Sequence, residues 1–314
     1  VGDRSLIEWT DASWNPWRGC DKVSPGCAHC YMFRDQTRYG RDPGTVVRAA
    51  DPTFLAPARS RKWQEQRLAI EVEEHRRMRV FTCSWSDFFH PDADEWREEA
   101  WALIAACPHY DWQILTKRPE LIADRLPPDW GEGYEHVWLG VSIENRRFVD
   151  RADLLRQTPA AVRFISAEPL LGPLVGGVAS GAVGEPRAGG HGGTGRAAAT
   201  AAGPTSAGGQ ARRHSPLDLT NIDWLIVGGE SGPGHRRIEE QWVRDLRDAC
   251  EWICPRCEGL SHVCPRCHSE RPANTAFFFK QWGGPRPTSG GRELDGRTWS
   301  EFPAGLPVGE GASA

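Results

Sequence analysis

Six times along this chain a compact apolar run closes in small, polar or charged residues and gives way to a stretch with helical spacing. The runs are RVFTCSWSDFF (79–89), DWQILTKRPE (111–120), VWLGVSIEN (137–145), VRFISAEPLLG (162–172), DWLIVGGESG (223–232) and AFFFKQWGG (276–284). Apolar runs of this length imply strands buried on both faces, as in parallel sheets whose connections are helices. Between them, Trp96, Ala100, Leu103 and Ile104 fall on one helical face, as do Trp242, Leu246 and Ala249. The aromatic segment from Leu6 to Trp17 supplies a further strand at the front. About seven βα units predict an α/β fold, a partial or complete parallel (β/α) barrel. An open doubly wound sheet is disfavoured, because no glycine-rich dinucleotide fingerprint opens the first helix.

Parallel barrels carry their chemistry at the carboxyl ends of the strands, so the residues closing each run are the candidates. They are Ser84, Ser86 and Asp87; Thr116, Lys117 and Arg118; Ser142, Glu144 and Asn145; Ser166 and Glu168; Gly228, Gly229, Glu230 and Ser231; Lys280 and Gln281. Serine and aspartate in these places also serve as ordinary helix caps. The acids Glu144, Glu168 and Glu230 sit alike on three strands and are expected to converge on one mouth; otherwise each must pair separately with a nearby arginine. Only four lysines, Lys22, Lys62, Lys117 and Lys280, stand among 38 basic residues. Where a lysine persists against so strong an arginine bias, a compact, titratable ammonium is a candidate for a specific need, which singles out Lys117 and Lys280.

The loop WNPWRGCDKVSPGCAHCY (14–31) gathers Cys20, Cys27 and Cys30 with the spacing C-x6-C-x2-C. Three thiolates from one loop can hold three irons of a [4Fe-4S] cluster and leave the fourth open to a substrate or cofactor. A structural Cys3His zinc site with His29, or a disulfide plus one free thiol, would use the same residues. A second group, Cys254, Cys257, Cys264 and Cys267, has the spacing C-x2-C-x6-C-x2-C expected of two knuckles around one Zn2+, with an auxiliary iron-sulfur cluster as the alternative. Cys83, Cys107 and Cys250 lie in or near apolar runs and are expected to pack in the core.

These features divide the chain into a barrel core (1–175 and 217–284), a Gly/Ala-rich insertion (176–216), a zinc-binding insertion (251–272) and a loop-like tail (285–314). The Gly/Ala-rich insertion has too few large apolar groups to offset the entropy of ordering and is expected to be disordered. A net charge of −4 gives no global attraction to phosphate, so contact with nucleic acid must come from local patches such as Arg48, Arg59, Arg61 and Arg67. No apolar run reaches the length that spans a bilayer, and no basic-then-apolar leader opens the sequence. A cytoplasmic protein without a membrane partner is expected, in keeping with cysteines grouped for metal.

The segments WNPWRGC, SPGCAHCY, FTCSWSDFFH, QILTKRPE, WLGVSIEN, RFISAEPLLGPL, WLIVGGESGPG and FFFKQWGG together resemble an uncharacterised bacterial and bacteriophage protein family marked by a three-cysteine motif. That family is in turn similar to radical S-adenosylmethionine (SAM) enzymes, including the photoproduct-lyase-like branch that repairs DNA. The resemblance implies a [4Fe-4S] cluster on Cys20, Cys27 and Cys30, SAM bound at the open iron, a reductant protein of flavodoxin or ferredoxin type, and a nucleic-acid substrate. With it come expected roles: Lys117 for the SAM carboxylate, Ser84, Ser86 and Asp87 for its amine or ribose, Ser142 among the cofactor contacts, and Glu144 or Glu168 for ribose hydroxyls or substrate. Lys117, Glu144, Glu168, Glu230 and Lys280 form the expected catalytic set. The spacing departs from the common C-x3-C-x2-C of radical SAM enzymes, and Gly228-Gly229-Glu230 follows a later strand than the usual Gly-Gly-Glu. Two readings of other classes stand beside it: a metal-stabilised nucleic-acid-binding protein without catalysis, and a barrel hydrolase working through paired carboxylates.

Overall fold

The computed structural model describes residues 5–176, 215–251 and 275–303. Seven parallel strands form one sheet: β1 (Ala12–Trp14), β2 (Met78–Thr82), β3 (Tyr110–Thr116), β4 (Val137–Ser142), β5 (Val162–Ala167), β6 (Trp224–Gly228) and β7 (Ala276–Gln281). Their spatial order is their chain order. Each of the seven expected runs supplies one strand. The Gly/Ala-rich insertion, within 177–214, and the zinc candidates Cys254, Cys257, Cys264 and Cys267 lie outside the described residues.

Sequential order in a parallel sheet requires every connection to cross the same face, and five helices provide the cover: α1 (Tyr31–Arg38), α2 (Arg61–Glu74), α3 (Asp94–Ala106), α4 (Asp150–Arg156) and α5 (Glu240–Cys250). Helix α3 buries Ala100, Leu103 and Ile104, as its spacing predicts. Helix α5 instead turns Val243, Leu246 and Cys250 inward and leaves Ala249 exposed, a shift of one position from the expected face. Cys83, Cys107 and Cys250 are all buried.

The sheet curls. In a flat sheet β1 and β6 would stand about 24 Å apart, five strand spacings. Yet the Trp9 ring, three residues ahead of β1, lies 6.0 Å from Trp224 of β6 and 4.7 Å from Phe81 of β2. Trp138 of β4 meets the same Trp224 ring at 5.8 Å, and so does Phe164 of β5. Alternate residues of the strands therefore point into one concave space, which aromatic rings fill, while the convex face packs on the helices. The fold is an α/β partial barrel. Its axis is plugged by rings below the carboxyl ends of the strands, so the mouth at those ends is where polar groups can gather.

The segment after Gly284, expected as a loop, is ordered further than its composition indicates. Glu293–Leu294 and Arg297–Thr298 form a short antiparallel pair. The chain then lies along β7, where Phe279 N–H donates to the Trp299 carbonyl at 3.1 Å and Glu301 N–H to that of Phe277 at 3.2 Å. Phe302 ends this run against Trp224 at 5.2 Å and Phe278 at 5.5 Å. Turn-rich composition concealed this, because the pairing uses backbone groups and is anchored by two rings only, Trp299 on Phe277 and Phe302 on Trp224.

Candidate functional site

The cysteine loop spans the mouth of the barrel and is held there from several strands. From β2, the chain turns at Cys83, whose φ of 62° is unusual for a residue with a side chain. The Ser86 hydroxyl then donates to the Gly19 carbonyl at 2.5 Å, and Ser84 exchanges hydrogen bonds with the Asn15 amide at 3.0 and 3.2 Å. From α1, the Tyr31 hydroxyl donates to the Ser84 carbonyl at 2.6 Å. Ser84 and Ser86 thus join the β2 loop to the cysteine loop.

Asp87 is buried and fully engaged. Its carboxylate accepts from the Thr116 hydroxyl (2.7 Å), the Phe89 and Lys117 N–H groups (both 3.0 Å) and the Arg118 guanidinium (3.1 Å). Arg118 in turn donates toward the Cys20 sulfur at 3.6 Å and to the Asp21 carbonyl at 3.3 Å. A fixed guanidinium beside a cysteine favours its thiolate electrostatically.

Glu144, which is completely buried, ties the middle of the loop. It accepts from the Ser24 hydroxyl at 2.5 Å, lies 3.3 Å from the Lys117 ammonium and receives Arg151 at 3.1 Å. Arg151 also donates to the carbonyl of Ser142, a buried residue at the end of β4, at 2.7 Å. Gly26 passes directly over this carboxylate: a β-carbon at Gly26 would stand 2.5 Å from Glu144 Oε1. Glycine is needed here for close approach of the backbone.

Glu230 ties the far side. His29 Nδ1 lies 3.0 Å from it, and Arg236 binds it through its backbone N–H and its Nε, each at 2.9 Å, and through Nη2. The same Arg236 reaches the Pro25 carbonyl at 3.0 Å. Burial pushes the Glu230 carboxyl upward, but Arg236 and His29 outweigh burial and hold it at about 2. Glu168 pairs with Lys280 at 2.6 Å. The three acids thus occupy neighbouring strand ends, and each has its own cation. Arginines serve two of them, Arg151 for Glu144 and Arg236 for Glu230, whereas Glu168 pairs with Lys280 and Lys117 also faces Glu144.

Cys20, Cys27 and Cys30 carry free thiols, so no disulfide joins them. Burial lifts Cys20 to about 11, with Asp87 adding and Arg118 opposing; burial also lifts Cys30, which Lys117 opposes. Among the described residues, no group of three or more His, Cys, Asp or Glu is arranged to hold a single metal ion. His29, the fourth ligand that zinc would need, is turned to Glu230.

Residues 4–254 match the family profile described as a protein of unknown function, DUF5131. The chain belongs to the DUF5131 family. The matched region takes in the cysteine loop and six of the seven strands, ending at Cys254 before β7. No curated protein and no solved structure matches this DUF5131 chain. No helix among its described residues is long and apolar enough to cross a membrane.

Arg118, Arg151 and Arg236 carry much of the site. Arg118 is one of the strand-end candidates, without an assigned role, whereas Arg151 and Arg236 stand outside them. Arg151 and Arg236 sit in a helix and a loop, seven and six residues beyond the acids they bind, and periodicity does not distinguish them from surface arginines.

Proposed function

We propose that this protein is a radical SAM enzyme acting on nucleic acid, with a [4Fe-4S] cluster on Cys20, Cys27 and Cys30. The observation that carries the reading is three free thiols on one loop, fastened across the mouth of a partial parallel barrel, with Arg118 directed at Cys20. Three cysteines without a fourth protein ligand are the donor set of a cluster with one open iron, whereas a zinc site would need His29, which is turned to Glu230. Cys20, Cys27 and Cys30 would hold the cluster, which would supply the one-electron reductive cleavage of SAM, the electron coming from a flavodoxin- or ferredoxin-type partner.

The chain's own residues have three tasks in this reading. Asp87, Glu144 and Glu230, through Arg118, Ser24 and Arg236, fasten the loop to the strand ends. Arg118 and Lys117 offset the negative charge of the thiolates. The aromatic plug closes the barrel beneath the site, so solvent reaches it from the mouth only. Lys117 is the candidate for the SAM carboxylate, since its ammonium is the more exposed partner of its pair with Glu144. The carboxylate hydrolase reading loses support, because every acid it requires is ion-paired. Zinc on Cys254, Cys257, Cys264 and Cys267 belongs to the same proposal.

The test is anaerobic reconstitution with iron and sulfide, followed by metal analysis and addition of dithionite and SAM. About four irons per chain beyond any zinc, and equal amounts of methionine and 5′-deoxyadenosine, are the expected results. A colourless protein holding only zinc would refute the proposal. Cys27→Ala is expected to remove the chromophore and leave zinc in place.

A further inference from the structure

One tryptophan is not used in the core. Among the described residues, every tryptophan except Trp85 belongs to one of the two apolar clusters or packs against it. Trp85 is half-buried and lines a cleft of about 420 Å³ together with Asn15, Trp17, Arg18, Arg41 and Thr53. No acid lines this cleft.

Its two arginines have no acid partner, as is also true of Arg38, Arg59, Arg147, Arg237 and Arg286 among the described residues. Neither Arg18 nor Arg41 makes an ion pair or a side-chain hydrogen bond among the described residues; Arg41 only lies over the Tyr39 ring at 5.8 Å. Other arginines of this region are neutralised: Arg48 by Asp51 and Glu99, both at 2.8 Å, Arg61 by Glu65 at 2.7 Å, and Arg67 by Glu71 at 2.6 Å. Of the basic patch expected from sequence, Arg48, Arg61 and Arg67 are thus masked by acids while Arg59 has no acid partner among the described residues, and two further uncompensated charges stand beside Trp85.

The cleft is also built in advance. Asn15 Oδ1 accepts the Trp85 N–H at 2.8 Å, and the Trp85 carbonyl accepts the Gly19 N–H at 3.0 Å. The backbone that carries the ring is therefore bonded to the residue preceding Cys20. Guanidinium groups without acids match the fork geometry of phosphate, and a free indole face matches a base. A base inside a duplex cannot offer its face, and the cleft is near the small end of ligand pockets.

We infer that this cleft holds one unpaired nucleotide of a nucleic-acid strand, with its phosphate on Arg18 and Arg41 and its base against Trp85. The inference deepens the proposed function and rests on it only for what happens to the strand at the cysteine loop. Binding itself requires no cluster.

The experiment is fluorescence anisotropy of a labelled single-stranded oligonucleotide with the full chain, at about 50 and 200 mM salt. Arg18→Gln and Arg41→Gln are each expected to weaken binding and to lower the salt slope by at most about 0.7. Trp85→Ala is expected to weaken it about fivefold to a hundredfold, while Trp85→Phe keeps a stacking face and most of the affinity. Arg61→Gln, at an exposed ion pair, is expected to change nothing, and thermal melts verify that each variant is folded. Absence of wild-type binding at the lower salt, indifference to all three cleft substitutions, or equal weakening by Arg61→Gln would overturn the inference. So would equal affinity for the duplex. Competition by a free mononucleotide at the oligonucleotide's own concentration would reassign the cleft to a free nucleotide and overturn the strand. The two claims separate: Cys27→Ala, which loses the cluster, is expected to bind the strand as the wild type does, and a wild-type protein that takes up no iron on reconstitution yet binds the strand refutes the radical chemistry alone. A protein that makes 5′-deoxyadenosine yet ignores the strand refutes this inference alone.

Discussion

Glu230→Gln tests whether the far side of the cysteine loop is held electrostatically. The wild-type carboxyl is held at about 2 although its side chain is only 5% exposed. A free glutamate titrates near 4.3, so the folded state favours the charged form by roughly two units, about 3 kcal/mol. Because the folded value is the depressed one, this contribution is complete above about pH 4.3 and disappears as pH falls toward 2, where the unfolded chain takes up a proton that the folded chain resists. The glutamine variant lacks the contribution at every pH and leaves Arg236 facing a neutral amide. Urea unfolding followed by intrinsic fluorescence is expected to show the variant about 3 kcal/mol less stable at pH 7, with the two proteins converging as acid is added. In thermal melts the same loss at neutral pH corresponds to roughly 6–12 °C. A difference below about 0.5 kcal/mol at pH 7, or one that does not change between pH 7 and pH 3, would refute the reasoning.

Other substitutions probe the remaining attachments. Glu144→Gln leaves Arg151 and Lys117 without their anion in a buried setting and is expected to cost about 3–5 kcal/mol; a double-mutant cycle with Lys117→Met should show coupling above about 0.5 kcal/mol. Gly26→Ala drives a methyl group against Glu144 and is expected to destabilise by about 1–3 kcal/mol and to lower iron incorporation, read from the chromophore after reconstitution. Phe302→Ala removes a ring that is only partly buried and is expected to cost about 2 kcal/mol in thermal or chemical unfolding, less than a fully buried phenylalanine would.

How far the sequence disclosed this structure depended on the kind of signal. Strands were legible because a parallel strand covered on both faces must be apolar along its length, and all seven runs contain one. Strand ends were legible for the same reason, which is why Glu144, Glu168, Glu230, Lys117 and Lys280 were found together. Their pairing was not, since it depends on arginines brought in by turns. Arg236 reaches Glu230 because Gly232 and Gly234 adopt positive φ values of 113° and 75°, a path that no periodicity encodes. The face of α5 was misjudged by one position because Trp242 can satisfy a helical stripe while lying at its margin. Arg48, Arg61 and Arg67 looked like a phosphate surface because the acids that bind them lie at three or four residues' distance, or on another helix.

The strip of backbone pairing between β7 and the residues following Arg297 has a consequence for how the protein is made. As β7 leaves the ribosome it presents a bare row of peptide groups, which invites a neighbouring nascent chain to add a strand. Relief comes only when Phe302 has been translated, 21 residues after Gln281. At ordinary elongation speeds that interval lasts roughly 1–4 s, long beside the microseconds in which hairpins form. Slow codons in this stretch would prolong the interval, and aggregation during expression would respond to them while the finished fold would not.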